Sequence, residues 1–415
     1  MIVVVGAGAA GLMAAIAAAR QGPSKIKILL LDSRQKIGAK ILMSGGSRCN
    51  VTHVRVTPQD YEGGPRHAVK HVLEAFTPTQ TIEFFEAIGV PLVLEPTGKY
   101  FPATHSGKTV LEALLAEVER LGVMLKTGIS VAEIKKTGDV FCLKGSDNHF
   151  EIAAKRVVLA TGGLSYPQTG SDGAGLDIAK TLGHSIVRTT PALTPLTSTD
   201  EDWRSLSGVA LDARLSFFES GKKRADRAGA LLFTHFGFSG PVALDISRFV
   251  SGADPKNQFE IQASFLPSET EESLKKTWMR AIVRYPARLV RNFLTDEFSL
   301  PARFVSTFLR KTALDGSVTL KRYSTVSRGC LIHALLNCPL AVTGVMGYQK
   351  SEVTSGGVNL KEVKAATMES KIVSGLYFGG EILDVDGRIG GFNFQWAWSS
   401  GTLAGRSAAE SIRRA

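Results

Sequence analysis

The first apolar run, Ile2 to Val5, has no polar interruption, as expected for a strand covered on both faces of a parallel sheet. It runs into Gly6-Ala7-Gly8-Ala9-Ala10-Gly11, and an alanine-rich stretch from Leu12 to Arg20 reads as a helix. Gly22-Pro23 supplies a stop signal, and a second apolar run, Ile26 to Leu31, ends at Asp32. Strand, GxGxxG turn, helix, strand and terminal acid in this order form the dinucleotide-binding βαβ unit. Gly6 allows the tight turn, Gly8 removes the Cβ that would block a pyrophosphate, and Gly11 lets helix and strand pack closely. The helix N-terminus around Ala9 and Ala10 offers N–H groups to phosphates. Asp32 is placed to accept ribose hydroxyls, with Ser33 beside it.

Further along, Gly38 to Asn50 is a glycine-rich stretch without hydrophobic periodicity and reads as a loop. Thr77-Pro78-Thr79-Gln80 predicts a helix start by capping box and proline at the first helical position. A second amphipathic helix is expected over about Thr109 to Leu121, then strands around Met124 to Lys135 and Val140 to Ile152. Val157 to Leu159 is a buried strand that stops at Thr161-Gly162-Gly163. From Pro191 to about Leu266 short alternating runs (Ala210 to Phe218, Ala230 to Phe233, Phe259 to Phe265) predict a β-rich domain. Ser268 with Glu271 reads as a capping box opening a helical stretch to about Ala313, and strand character returns at Leu340 to Val345. The last block, from Leu376, is strand, glycine turn and helix. The expected boundaries are 1–190 and 346–415 for one α/β domain, 191–266 and 327–345 for the β domain, and 267–326 for its helical insert.

The 415 residues carry 44% hydrophobic and 21% charged residues, which excludes a disordered or fibrous chain. No apolar run is long enough to span a bilayer, and the strand at the N-terminus leaves no room for a cleaved targeting segment. Cys49, Cys142, Cys330 and Cys338 have no CxxC spacing and read as reduced thiols of a cytoplasmic protein, neither a disulfide frame nor a zinc site. No metal cluster, hydrolase triad or P-loop is visible. The net charge is +11, and Pro267 to Arg328 holds twelve Lys and Arg against six Asp and Glu. Such an excess marks either a solvated helix face or an anionic partner. Arg280, Arg284, Arg288 and Arg291 recur at helical spacing, although Pro286 interrupts them and no aromatic interleaving of the single-strand-binding kind is evident. Nucleic acid is therefore a minor expectation, and the oligomeric state is not readable.

Several blocks together resemble a known family. They are Gly6 to Gly11; Lys40 with Ser44-Gly45-Gly46-Ser47-Arg48-Cys49-Asn50; Tyr100-Phe101-Pro102; Ser165-Tyr166-Pro167; Phe233-Thr234-His235; Thr354 to Val358; and Gly379 to Gly387 followed by Gly390-Gly391-Phe392-Asn393-Phe394-Gln395-Trp396-Ala397. On these the chain resembles the BaiN/YhiN-like flavoproteins, also known as the aminoacetone-oxidase-type FAD-binding family. Ser47 departs from the pattern, which has a third glycine there. The resemblance implies FAD on a glutathione-reductase-type Rossmann-like domain built from both chain ends, with an inserted barrel-like domain carrying a small helical insert. It implies cofactor contacts from Lys40, Ser44, Gly45, Gly46, Arg48, Cys49 and Asn50. Val131 matches the position whose backbone pairs with adenine in similar folds, and Thr161 and Gly162 close over the pyrophosphate or adenosine side.

The residues themselves agree that the C-terminal block serves a cofactor: Gly380, Glu381 and Asp384 end a strand and suit ribityl hydroxyls. Gly391, Phe392, Asn393 and Gln395 open a helix whose N-terminus suits an anionic reduced flavin. Cys49 lacks a resolving partner cysteine and reads as structural. His235, Tyr166 and Tyr100 are candidate proton donors. No second GxGxxG unit provides a separate nicotinamide domain, so NAD(P)H, as possible donor, has to meet the flavin directly. Three functions follow: reduction of a conjugated C=C in a small molecule by NAD(P)H through FAD, oxidation of a small amine with release of peroxide, and RNA binding through the basic insert.

Overall fold

The computed structural model describes residues 1–21, 26–145 and 150–413. The Gly22-Pro23 stop and the middle of the predicted Val140–Ile152 strand lie outside them. The described chain divides into two compact units, Met1–Pro191 with Glu352–Ala415, and Ala192–Ser351.

The first unit is built on a seven-stranded sheet in which five consecutive strands, running to one edge, are parallel. In spatial order these are Leu376–Phe378, Arg156–Leu159, β1 (Ile2–Val5), β2 (Ile28–Asp32) and Met124–Thr127. Helix α1 (Ala9–Gln21) follows β1. β1, and β2 up to Leu31, are apolar because both faces are covered; all four residues of β1 and Ile28 to Leu31 are buried. Helix α1 is buried from Ala10 to Ala18 because the last helix, Phe392–Arg413, lies along it. Gly401 and Gly405 sit against the backbone of Ala10 and Ala14, so the two helices approach more closely than any side chain allows.

Two elements differ from expectation here. Residues 38–50 are not a plain loop: Ala39–Ser47 forms helix α2, broken by non-helical Ser44, Gly45 and Gly46. Val353–Val358 is a fully buried strand, hidden in the sequence by its Ser-Gly-Gly centre. The capping box at Thr77 and Gln80 is present and opens Pro78–Ala87.

The second unit is a seven-stranded antiparallel sheet carrying helices. Its edges are Cys338–Leu340 and Val342–Val345, halves of one extended segment that pair with opposite ends of the sheet, which therefore curls back on itself. Pro241–Gly252 is a helix inside the region expected to be strand; Val242, Ala243, Ile246 and Val250 bury one face of it against the sheet. The helical segment begins one cap later than expected. Thr270 and Ser273, not Ser268 and Glu271, form the capping box of Glu271–Arg284. It also runs on past Ala313 to a fourth helix, Thr325–Leu336, and strand returns at Cys338, close to the expected Leu340.

Candidate cofactor site

Strand order gathers the site. The segments leaving the carboxyl ends of β1, β2, Arg156–Leu159 and Leu376–Phe378 are Gly6–Gly11, Asp32–Ser33, Thr161–Gly162 and Gly379–Glu381, all at one edge of the parallel sheet. The chain leaves β1 for β2 on one side, while Arg156–Leu159 flanks β1 on the other, and the crevice between such strands is where ligands bind in open α/β sheets.

Each glycine of the turn has a visible reason. Gly6 has φ +101°, and a Cβ there would press on the Ala160 backbone. A Cβ on Gly11 would collide with the Gly6 carbonyl. A Cβ on Gly8 would meet nothing within 4 Å, so that position faces open space rather than protein. Ala9 and Ala10 start α1, whose first N–H groups have no intrahelical acceptor. Asp32 is more tightly bound than expected: one carboxylate oxygen accepts from Ala7 N at 2.7 Å and the other from Arg34 N at 2.8 Å. The acid thus also shapes the turn. Thr161 Oγ1 is shut away from solvent with no hydrogen-bond partner in the protein. Open space beside Gly8, a helix N-terminus, an acid at the second strand and an orphaned hydroxyl together fit a dinucleotide such as FAD, which would supply a two-electron hydride carrier. Val131 begins the strand Val131–Thr137 opposite Gly145 with its side chain buried, and two residues before it Ile129 N donates to Asp32 O at 2.8 Å.

At the other end of the edge lies a polar cluster. Lys40 Nζ donates to Glu381 Oε2 and to Ser165 Oγ, each at 2.6 Å. Ser165 Oγ donates to Glu381 Oε1 at 2.6 Å, and Thr354 N donates to the same oxygen at 2.9 Å. Lys40 and Glu381, 341 residues apart, are thereby an ion pair rather than two independent contacts. Gly380, with φ +79°, brings this turn against Ala10. Asp384 lies just beyond, and its carbonyl accepts from Gly64 N. Tyr166 follows Ser165 in a left-handed conformation; burial first, then the Glu352 carboxylate, push its phenol up, so it stays protonated.

The broken helix α2 and the residues just after it hold Gly45, Gly46, Ser47 and Cys49 in left-handed conformations, φ +57° to +69°. Ser47 therefore carries a strain that glycine would not. Ser44 Oγ donates to Ile41 O, Gly45 lies against Phe101, and a Cβ on Gly46 would meet nothing. Arg48 pairs with Glu95 at 2.6 Å and lies over the Phe101 ring. The Cys49 thiol is wholly enclosed, and burial pushes it up to about 12, which disfavours the reactive thiolate.

Four of the expected residues have their side chains engaged with the protein itself. Asn50 donates to Thr52 O and accepts from Gly391 N, tying the two glycine loops together. Phe392 is buried and stacked on His53. Asn393 closes the Gly387 turn by accepting from Gly387 N and donating to Gly387 O. Gln395 is fully buried, accepts from the Thr52 and Thr81 hydroxyls and donates to Phe76 O and Ser399 Oγ. Its amide has no capacity left for a cofactor. His235 belongs to the second unit, exposed on the turn before Gly237–Ser239, where its carbonyl accepts from Arg204 Nε. No His, Cys, Asp and Glu cluster able to hold a metal occurs among the described residues.

A GxGxxG turn, an orphaned hydroxyl and a C-terminal glycine turn on one parallel edge define a Rossmann-type flavoprotein. A model described as the HI0933-like protein Rossmann domain matches residues 1–407, and the chain belongs to that family of FAD-dependent oxidoreductases, as its motifs lead one to expect. It is 32% identical over 409 residues to a 3-dehydro-bile acid delta(4,6)-reductase of Clostridium scindens, covering 98% of each chain. It is 33% identical over 401 residues to a ribosomal RNA dihydrouridine synthase of Escherichia coli, covering 96% of this chain and 95% of that one. The Mycobacterium smegmatis Sdh1 complex shares the fold at 15% identity and a TM-score of 0.50, over 100% of this chain and 68% of that one. No described helix is long and apolar enough to cross a membrane.

Proposed function

We propose that the protein uses FAD to add hydride to a C=C bond conjugated with a carbonyl, taking its electrons from NAD(P)H. The observation that carries the reading is the likeness, over nearly the whole chain, to a reductase of a bile-acid double bond. A dihydrouridine synthase saturates the C5=C6 bond of uracil, which is likewise conjugated to a carbonyl, so both kinds of relative point to one reaction. In this reading Gly6–Gly11, Asp32 and Thr161 hold the adenosine and pyrophosphate end, with Val131 at the adenine. The Lys40–Ser165–Glu381 cluster sets the position of the ribityl end, and Tyr166, held protonated, is the candidate proton donor.

The primary substrate class is a small enone-like molecule. A second reading, with uracil in RNA as acceptor, is favoured by the excess of six positive charges between Pro267 and Arg328. The test is anaerobic turnover with NAD(P)H and either a 4-ene-3-oxosteroid or uridine-containing RNA, followed by mass spectrometry of the acceptor. A gain of two hydrogens in either acceptor supports the reaction. Peroxide formed from a small amine, with neither acceptor changed, replaces it by the oxidase.

A further inference from the structure

The second unit carries a surface that the cofactor site does not use. Helix Glu271–Arg284 buries Leu274, Trp278 and Ala281, and turns Met279, Arg280, Val283 and Arg284 away from that face. Val283 is 83% exposed, an unusual position for a β-branched apolar side chain. Immediately after the helix, Tyr285 is 43% exposed, with the Arg284 guanidinium 5.1 Å and the Arg288 guanidinium 5.3 Å from its ring centre. This is the aromatic interleaving that is not apparent in the linear sequence. The start of helix Thr325–Leu336 adjoins the same face, since Arg328 reaches Met279 Sδ at 3.4 Å.

The charges divide into two groups. Lys275 and Lys276 are tied to Glu271 and Glu272, Arg288 to Asp296, and Arg310 and Lys311 to Asp202 and Asp200. Among the described residues no carboxylate pairs with Arg280, Arg284 or Arg328. Uncompensated guanidinium groups around a half-exposed, arginine-stacked tyrosine offer both what phosphates need and a flat surface on which a base stacks.

We propose that this surface, centred on Arg280, Arg284 and Tyr285, binds single-stranded RNA. A protein partner would suit Met279 and Val283 but leaves the three unpaired arginines unexplained. The inference deepens the RNA reading of the acceptor above. Its assay reads binding and not turnover, so failure to reduce uracil leaves the surface standing, and failure to bind overturns the surface alone.

The experiment is fluorescence anisotropy of the FAD-loaded full chain with a labelled, mixed-sequence single-stranded RNA of about 12 nucleotides, within the span of one such platform, over a range of salt. Binding is expected to weaken linearly in log–log form. Arg280→Ala with Arg284→Ala should flatten the slope by about 1.4, at roughly 0.7 per phosphate contact. Tyr285→Ala should weaken binding by about tenfold with little change in slope, the scale of one lost base stack, while Tyr285→Phe retains it. Flavin content and thermal unfolding of these surface variants serve as fold controls. Absence of RNA binding at low salt, or variants that match the wild type in slope and affinity, would overturn the proposal. A chain that ignores RNA but sediments as a dimer dissolved by Val283→Glu would overturn it in favour of a protein interface.

Discussion

Replacing Gln395 by Leu separates a framework role from a cofactor role. Four hydrogen bonds are lost in a fully buried site, but their partners are not equally stranded. Thr81 Oγ1 still has the Thr77 carbonyl at 3.1 Å, and Phe76 O still receives the Ser399 hydroxyl at 2.7 Å. Thr52 Oγ1 loses its partner at 2.6 Å. One orphaned hydroxyl costs about 1–3 kcal/mol and each further lost bond about 1 kcal/mol, while the leucine regains part of this by apolar burial. The expected net loss is about 3 kcal/mol. Trp396 and Trp398 are buried on the same helix, so urea unfolding followed by tryptophan fluorescence reads the loss directly. FAD affinity, measured well below the unfolding midpoint, should change less than about twofold, the scale expected of a site the residue does not touch. A variant of undiminished stability that loses FAD would refute the reasoning and return Gln395 to the cofactor site.

Other outcomes follow from the same geometry. Gly8→Val should give folded, colourless protein because its side chain enters open space rather than backbone, whereas Gly11→Val should fail to fold; the ratio of flavin to protein absorbance, with circular dichroism, checks both. Lys40→Met and Glu381→Gln should show a coupling of about 1–2 kcal/mol in a double-mutant cycle of unfolding, since the pair is three-quarters buried. Burial lowers the His184 pKa against the opposing pull of Glu362, so the folded state disfavours the imidazolium. Stability from this group is full above the unfolded value of about 6.5 and declines as pH falls below it; His184→Gln should flatten that decline in a pH series of unfolding midpoints. A disulfide-exchange reagent at mild alkaline pH should label exposed Cys330 and leave Cys49 and Cys338, both buried and pushed up to about 12, unlabelled until the chain unfolds.

What was legible in the sequence was local. The β1–α1–β2 unit needs only glycine spacing and two apolar runs, and the Thr77 helix start needs only four adjacent residues. The helix Pro241–Gly252 was missed because its apolar positions lie among strands and its reason for folding is the sheet beneath it. The capping box moved from Ser268 to Thr270 because either pair satisfies the spacing, and only the chain path leaving the preceding strand selects one. In the site, the glycines were readable because each answers a backbone demand. The roles of Lys40, Glu381 and Gln395 were not, because each depends on a partner more than 100 residues away in the chain. A buried amide with four internal partners and one aimed at a cofactor have the same letter and the same neighbours.

The central claim, that FAD here carries hydride from a nicotinamide to a conjugated double bond, is tested most directly by an anaerobic titration. Flavin absorbance near about 450 nm, where an isoalloxazine absorbs, is followed as NADPH or NADH is added, and then as a 4-ene-3-oxosteroid or uridine-containing RNA is supplied. The account predicts bleaching by one of the nicotinamides and recovery of the band on adding one acceptor in the absence of oxygen. A flavin that neither nicotinamide bleaches, or that only oxygen restores, would contradict it.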